Sequence, residues 1–429
     1  MKIVVAGTDA NAWVGALKLR QQGHQVEIIS DKSVSTLLPG APLAPEVSAE
    51  FGLGVILKIV GRVGISPEGG SVHLKLPRIS GEVTQADQDR WPEFVKVMNN
   101  ASEIWRGLFE PSSSGQLVTR WREFGRRQAM EVLRVPCQSL SELLDDWFES
   151  DLLKATLAAT ALRGSRQGPF SPGSAFLLLQ RWARGEVFGR ARVGTERLRE
   201  LAEQAGITIH SETTERFDVC AGKLQSLRTQ SGSQIQADVY LSTADPVTVL
   251  SQQIGLPRLD PDIGGVVKHW DVRSTTTVAK LSPSDNWNGA SVNFCQDLES
   301  LEKAYDATKY RRFSESPFAE FDSESGMLYI QHLGDESTEE KVNSLCQAHQ
   351  LGDVQELWTP SEVEKQYGAA GGHLFGGERS LWQSYGLRDR LRQPFSNLIL
   401  CGASTGPGDH SGLSGFLAAQ KIEATAEKY

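Results

Sequence analysis

Cysteine patterns that would staple a fold or grip a metal are missing from these 429 residues. The five cysteines, Cys137, Cys220, Cys295, Cys346 and Cys401, are scattered and never fall at CxxC spacing, which points to reduced thiols. The eight histidines do not pair at HxxxH or similar spacing, so no metal site is expected. No stretch approaches the ~18 uninterrupted apolar residues of a membrane span. The closest, Gly54 to Ile65, is broken by Lys58 and Arg62. Positive charge is also short: 44 Lys plus Arg face 53 Asp plus Glu, a net charge of -9. That balance excludes broad electrostatic binding of nucleic acid, which needs clustered cations to displace counterions. Met1-Lys2-Ile3-Val4-Val5 runs straight into a strand and leaves no room for a secretory leader. The expectation is therefore a soluble, cytoplasmic protein, with peripheral membrane contact left open. No internal repeat or low-complexity tract is visible.

What is present begins with a βαβ unit. Residues 2 to 6 form a short strand, apolar from Ile3 onward, of the kind buried on both faces of a parallel sheet. A turn at Gly7-Thr8-Asp9 follows, then a helix from about Ala10 to Gln22 with Trp13, Val14, Ala16, Leu17 and Leu19 on its apolar side. Gly23 ends the helix, and Gln25 to Ser30 supplies a second strand. The length suits a Rossmann-type opening. A dinucleotide-binding turn reads GxGxxG, with glycines for the tight turn, the pyrophosphate approach and helix packing. Here it reads Gly7-Thr8-Asp9-Ala10-Asn11-Ala12. Gly7 fills the first place and Ala12 the third. Asp9 sets a carboxylate where phosphates should meet the helix N-terminus, although an Asp there also serves as a helix cap. At the end of the second strand Ser30 takes the acidic place that holds ribose hydroxyls, and Asp31 follows one residue later.

Residues 91 to 162 read as helical. Phe94, Val97, Met98, Ala101, Trp105 and Leu108 share one face. Pro111 to Gly115 is a loop, and Ser139-Leu140-Ser141-Glu142 is a capping box opening a further helix. Gly168 to Gly173 reads as a rigid turn before a helix at Ser174 to Arg184. Another helix, Thr195 to Ala205, leads to a strand at Thr208-Ile209-His210. Residues 211 to 243 read as antiparallel strands, the last returning to the nucleotide-binding sheet. Residues 266 to 295 and 327 to 333 alternate in the manner of a second sheet. The fold class is α/β, a discontinuous Rossmann-type domain with an interleaved α+β substrate domain. The expected boundaries are 1–90, 191–250 and 396–429 for the dinucleotide-binding parts, 91–190 for a helical lid, and 251–395 for the substrate sheet.

Three segments, in this order, carry a resemblance. They are Gly168 to Gly173 with Ser242-Thr243-Ala244-Asp245-Pro246, then Tyr367 to Glu378, then Asn397 to Gly408. Together the chain resembles the phytoene-dehydrogenase-like branch of the FAD-dependent amine oxidase superfamily. The resemblance implies FAD as cofactor and dehydrogenation or isomerisation of an apolar, polyene-like substrate. It implies that Gly402, Ala403, Ser404 and Gly408 line the cofactor, with Leu413 in the helix that follows and points its positive end at the flavin. Gly7, Ala12 and Asp31 would complete the cofactor contacts. Catalytic residues are not identified by it; His373 and His410 are the two histidines inside the motif segments. The chain also departs from the family. Residues 31 to 50 hold no Gly-Gly-Arg, the loop from Pro407 to Gly415 is a residue short and carries Asp409 and His410 in place of glycines, and Gly376 replaces a second histidine. These departures keep three readings open: a flavin oxidoreductase, a flavin-free binding or scaffold subunit partnered with a homologue, and an enzyme of another dinucleotide.

Overall fold

The computed structural model describes residues 1–30, 34–38, 43–53, 57–59, 61–109, 126–191, 195–283, 287, 289–336, 338–384, 390–405 and 410–426. The first strand, β1 (Lys2–Ala6), is buried from Ile3 onward, as a strand covered on both faces must be. The first helix, α1 (Ala10–Gln21), follows it, and β2 (Gln25–Ile29) closes the unit. Gly23, with φ 83°, turns the chain out of the helix.

β1 and β2 lie in a five-stranded sheet whose order is 398–400, 239–242, β1, β2, 208–210. Every neighbouring pair in it is parallel. The return of 239–242 to this sheet is as the sequence led us to expect, with Ile3 opposite Val239 and Ala6 opposite Ser242. On one face α1 packs against the C-terminal helix Leu413–Ala426. The approach is close because glycine permits it: a Cβ on Gly415 would stand 1.8 Å from the Asn11 carbonyl oxygen. Val14, Leu17, Phe416 and Ala419 fill the rest of that layer.

A second sheet has eight strands, in the order 354–358, 277–281, 327–330, 319–322, 290–294, 61–65, 71–75, 78–81. All neighbours are antiparallel except 290–294 with 61–65. The alternation over 266–295 and 327–333 thus yields strands at 277–281, 290–294 and 327–330, while 266–268 ends a helix, Pro261–Lys268. Asp260 caps that helix and Pro261 opens it, a start signal stronger than the local alternation.

Helices cover one face of the eight-stranded sheet. Helix Gln85–Phe109 buries Trp91, Phe94, Met98 and Ala101; the side chains of Trp105 and Leu108 and the 111–115 loop lie outside the described residues. The Ser139 capping box forms, its hydroxyl accepting from Glu142 N–H and the Glu142 carboxylate accepting from Ser139 N–H. A meander of three short strands, 214–220, 223–229 and 234–235, connects 208–210 to 239–242. No described helix is long and apolar enough to cross a membrane.

Candidate functional site

Open parallel sheets leave a crevice beyond the carboxyl ends of their strands, where the following turns diverge. This protein has a cavity of ≈ 470 Å³ there, reached by residues at the ends of three adjacent strands: Ala6 and Gly7 at the end of β1, Thr243 and Ala244 after 239–242, and Ala403 and Ser404 after 398–400. Gly7 makes the floor possible. Its φ is 139°, and a Cβ there would meet the Thr243 hydroxyl at 1.9 Å. The turn is pinned by Gly7 N–H donating to the Ile29 carbonyl (3.0 Å) and by the Trp13 indole donating to the Thr8 carbonyl (2.8 Å).

Asp9 governs the charge of this floor. It is the N-cap of α1, its Oδ1 accepting from Ala12 N–H at 2.9 Å. The side chain is 3% exposed. Burial pushes its pKa up to about 6, against the opposing pull of the Ala12 amide and the Thr243 hydroxyl. The capping reading of Asp9 is therefore what the structure shows, and the cap occupies the amide that an anionic ligand would use. His410 stands beside it, its Nδ1 3.9 Å from Asp9 Oδ2 and its ring 6.2 Å from that of Phe375.

Asp245 forms a second buried carboxylate in the wall. It accepts from Thr248 N–H (2.9 Å), Thr248 Oγ1 (2.6 Å) and Ala370 N–H (3.1 Å), and burial raises its pKa. The segment after it, Val247–Ile254, is a π-helix, a wide coil that occurs preferentially at functional sites. It presents Thr248, Gln252 and Gln253 to the cavity. His373 is 1% exposed and lines the same space. Its Nδ1 accepts from Phe375 N–H at 3.1 Å, which assigns the ring proton of the neutral imidazole to Nε2.

Among the residues singled out in the sequence, Gly7, Ala403, Ser404, His373 and His410 are brought together on this cavity. Ala12 and Leu413 are instead packed in the α1 core layer. Gly402 lies against the Thr243 carbonyl, which a Cβ would approach to 2.0 Å, so its part is strand packing. Asp31 and Gly408, like Asp409, lie outside the described residues. Reading the sequence missed Thr213, Thr214, Glu215, Gln252, Gln253 and the Lys365–Gln366 edge. None of them sits in a motif; Asp245 and Tyr367 did, within two of the three segments.

The cavity can be tested against a dinucleotide. Its position and the glycine floor suit one. The buried Ser404 Oγ and Gln253 Oε1 have no protein partner and are ready for a polar ligand. Asp9, at the helix N-terminus, opposes its phosphates most directly, and Asp245 and Glu215 are two more carboxylates of the lining. The residues fit a dinucleotide whose phosphates meet the Gly7–Thr8 turn while Asp9 is protonated. No group of metal-binding side chains occurs among the described residues.

Fold and site together define an α/β protein with a parallel nucleotide-type sheet and a second, largely antiparallel sheet. No family model matches the chain. A putrescine oxidase triple mutant superposes with a TM-score of 0.60 at 12% identity, covering 99% of both chains. Cyclohexylamine oxidase from Brevibacterium oxydans IH-35A does so with a TM-score of 0.57, again at 12% identity and 99% of both. In sequence, the chain is 27% identical over 392 residues to pyridine nucleotide-disulfide oxidoreductase domain-containing protein 2 of Rattus norvegicus, covering 75% of this chain. The Mus musculus protein of the same name is 27% identical over 351 residues, 66% of this chain. The chain spans 66% and 59% of the length of these two relatives.

Proposed function

We propose that the protein is an FAD-dependent oxidoreductase. The observation that carries this reading is the ≈ 470 Å³ cavity at the carboxyl ends of three parallel strands, floored by Gly7. The names of the relatives and the amine oxidase-like fold support it. When bound, the flavin would supply the hydride acceptor, so the protein contributes chiefly position and electrostatics. Gly7 and Thr8 would face the phosphates, and Ser404 would offer its buried hydroxyl. His373 holds a proton on Nε2 at the wall, and Asp9 must shed its charge before phosphates settle beside it.

The finer reading is an apolar, polyene-like substrate, oxidised in the cytoplasm. The order of the three motif segments supports it, while the cavity wall carries the polar side chains of Asp245, Gln252, Gln253 and Lys365. The second reading, a flavin-free scaffold working with a homologous partner, is favoured by Asp9, since its carboxylate already caps α1. The absorption spectrum of the purified protein, with FAD titrated by calorimetry, separates the two. Bands at about 375 and 450 nm or saturable heat establish the flavoprotein. A colourless protein that gives no heat with FAD overturns the first reading and leaves the scaffold.

A further inference from the structure

Behind the cavity wall, four arginines are buried where the helical layer meets the eight-stranded sheet. Arg62, Arg163, Arg181 and Arg379 are each 5% exposed or less. Two carboxylates lie within their network. Glu320 Oε1 accepts from Arg62 Nη1 at 3.0 Å and Arg163 Nη1 at 2.7 Å. Glu186 Oε2 accepts from Arg181 Nη1 at 3.1 Å and stands 3.9 Å from Arg379 Nη1. Two further carboxylates are near, and against the effect of burial Glu320 and Asp322 are among the groups that hold the Arg163 pKa up. Asp322 accepts from Ser325, and Glu378 from Ser165 and the Arg166 amide.

Arg163, Arg181 and Arg379 line a small cavity of ≈ 10 Å³, whose other walls include Leu177, Gln180 and Ser165. That is about the volume of one water-sized probe. Arg163 is 4% exposed, yet its Nε–H has no protein partner. A buried, charged donor left unsatisfied beside a void calls for an occupant. Three cations around one void favour an anion over a water, because an anion also relieves their mutual repulsion. That repulsion registers on Arg181, whose pKa falls to about 9 through burial and then through Arg163.

We propose that this cavity is a binding site for one small monovalent anion, of the chloride or bromide class, held by Arg163, Arg181 and Arg379. It is separate from the dinucleotide cavity, with the Phe375 ring near both its arginines and His410 of that cavity's wall. The Phe375 ring lies 3.7 Å from the Arg379 guanidinium, 5.5 Å from that of Arg181, and 6.2 Å from the ring of His410. The site's function is to neutralise the buried arginines, so an occupied site stabilises the native protein by mass action.

The test uses the intact, unmutated protein. Thermal unfolding is followed at constant ionic strength while sodium gluconate is exchanged for sodium bromide. The expected result is a saturable rise in Tm of about 1–3 °C. Crystals soaked in bromide should show an anomalous peak between the three guanidinium groups. A Tm that responds equally to both salts overturns the proposal, as does a cavity holding water in the bromide crystal. A bromide peak without the ion-specific shift also overturns it, showing occupancy at crystal concentration only.

Discussion

Replacing Asp9 by Asn removes one buried charge and leaves the cap. Asn and Asp cap helices about equally well, and the φ of -80° and ψ of 176° at this position suit either. The carboxyl of Asp9 titrates at about 6 in the folded protein and at 3.8 in the unfolded chain. With the folded value raised, the associated stability is fully present below the unfolded value and is lost as pH rises through about 6. The gap of roughly two units corresponds to about 3 kcal/mol. Asp9→Asn never ionises, so at pH 8 it should be more stable than the parent by up to about 3 kcal/mol, shrinking to about 1 kcal/mol at pH 4.5. Urea unfolding followed by tryptophan fluorescence at the two pH values measures both numbers. The same change bears on the cofactor. Two like charges ~4 Å apart at an effective dielectric near 20 repel by about 4 kcal/mol. FAD should therefore bind the variant on the order of 10²–10³ tighter at pH 8, with the difference narrowing as pH falls through about 6. A stability gain independent of pH would refute the assignment of a buried carboxylate with a raised pKa. An unchanged FAD affinity would show that the carboxylate does not face the phosphates.

Two further outcomes follow from packing. Gly415→Ala places a methyl 1.8 Å from the Asn11 carbonyl, so α1 and the C-terminal helix must part; we expect a loss of about 1–3 kcal/mol in urea unfolding, and an unchanged midpoint would refute that close approach. Of the five thiols, Cys137 and Cys220 are exposed, whereas Cys295, Cys346 and Cys401 are buried with raised pKa values, to about 12 and about 11 for the first two of these. A disulfide reagent should therefore titrate two thiols in the native protein and all five in denaturant, and rapid native reaction of a third would contradict the burial.

The parallel sheet was legible because its strands announce themselves. Ile3 to Ala6 is an uninterrupted apolar run, the following helix is delimited by Asp9 and Gly23, and the return strand at 239–242 ends in a recognisable segment. Strength of local signal decided this. The strand at 61–65 was hidden for the opposite reason. Arg62 interrupts its apolar run, and only the fold shows the guanidinium meeting Glu320, far away in the chain. Buried ion pairs of this kind break the hydrophobic pattern at both ends and leave no local trace of the partner. The candidate site divides similarly. Gly7, Ala403 and Ser404 lie in turns whose shape is a local property, whereas Thr213, Gln252 and Gln253 reach the cavity through the meander and the π-helix, whose placement depends on the assembled sheet. Asp9 was read from the sequence as both an obstacle and a cap; geometry showed the cap and, through its burial, how the obstacle is relieved at low pH.

The five-stranded sheet has a bearing on how the protein is made. Its outermost strand, 398–400, docks on 239–242, and the helix after it docks on α1. Translation at about 5–20 residues per second takes roughly 8–32 s to pass from 239–242 to that strand. Throughout this interval the edge at Tyr240 and the part of α1 that the C-terminal helix covers have no native partner from the chain. An unpaired edge and an open apolar face are the surfaces through which nascent chains aggregate. The strand order thus leaves the nucleotide-type sheet incomplete until 398–400 and the helix after it have been made.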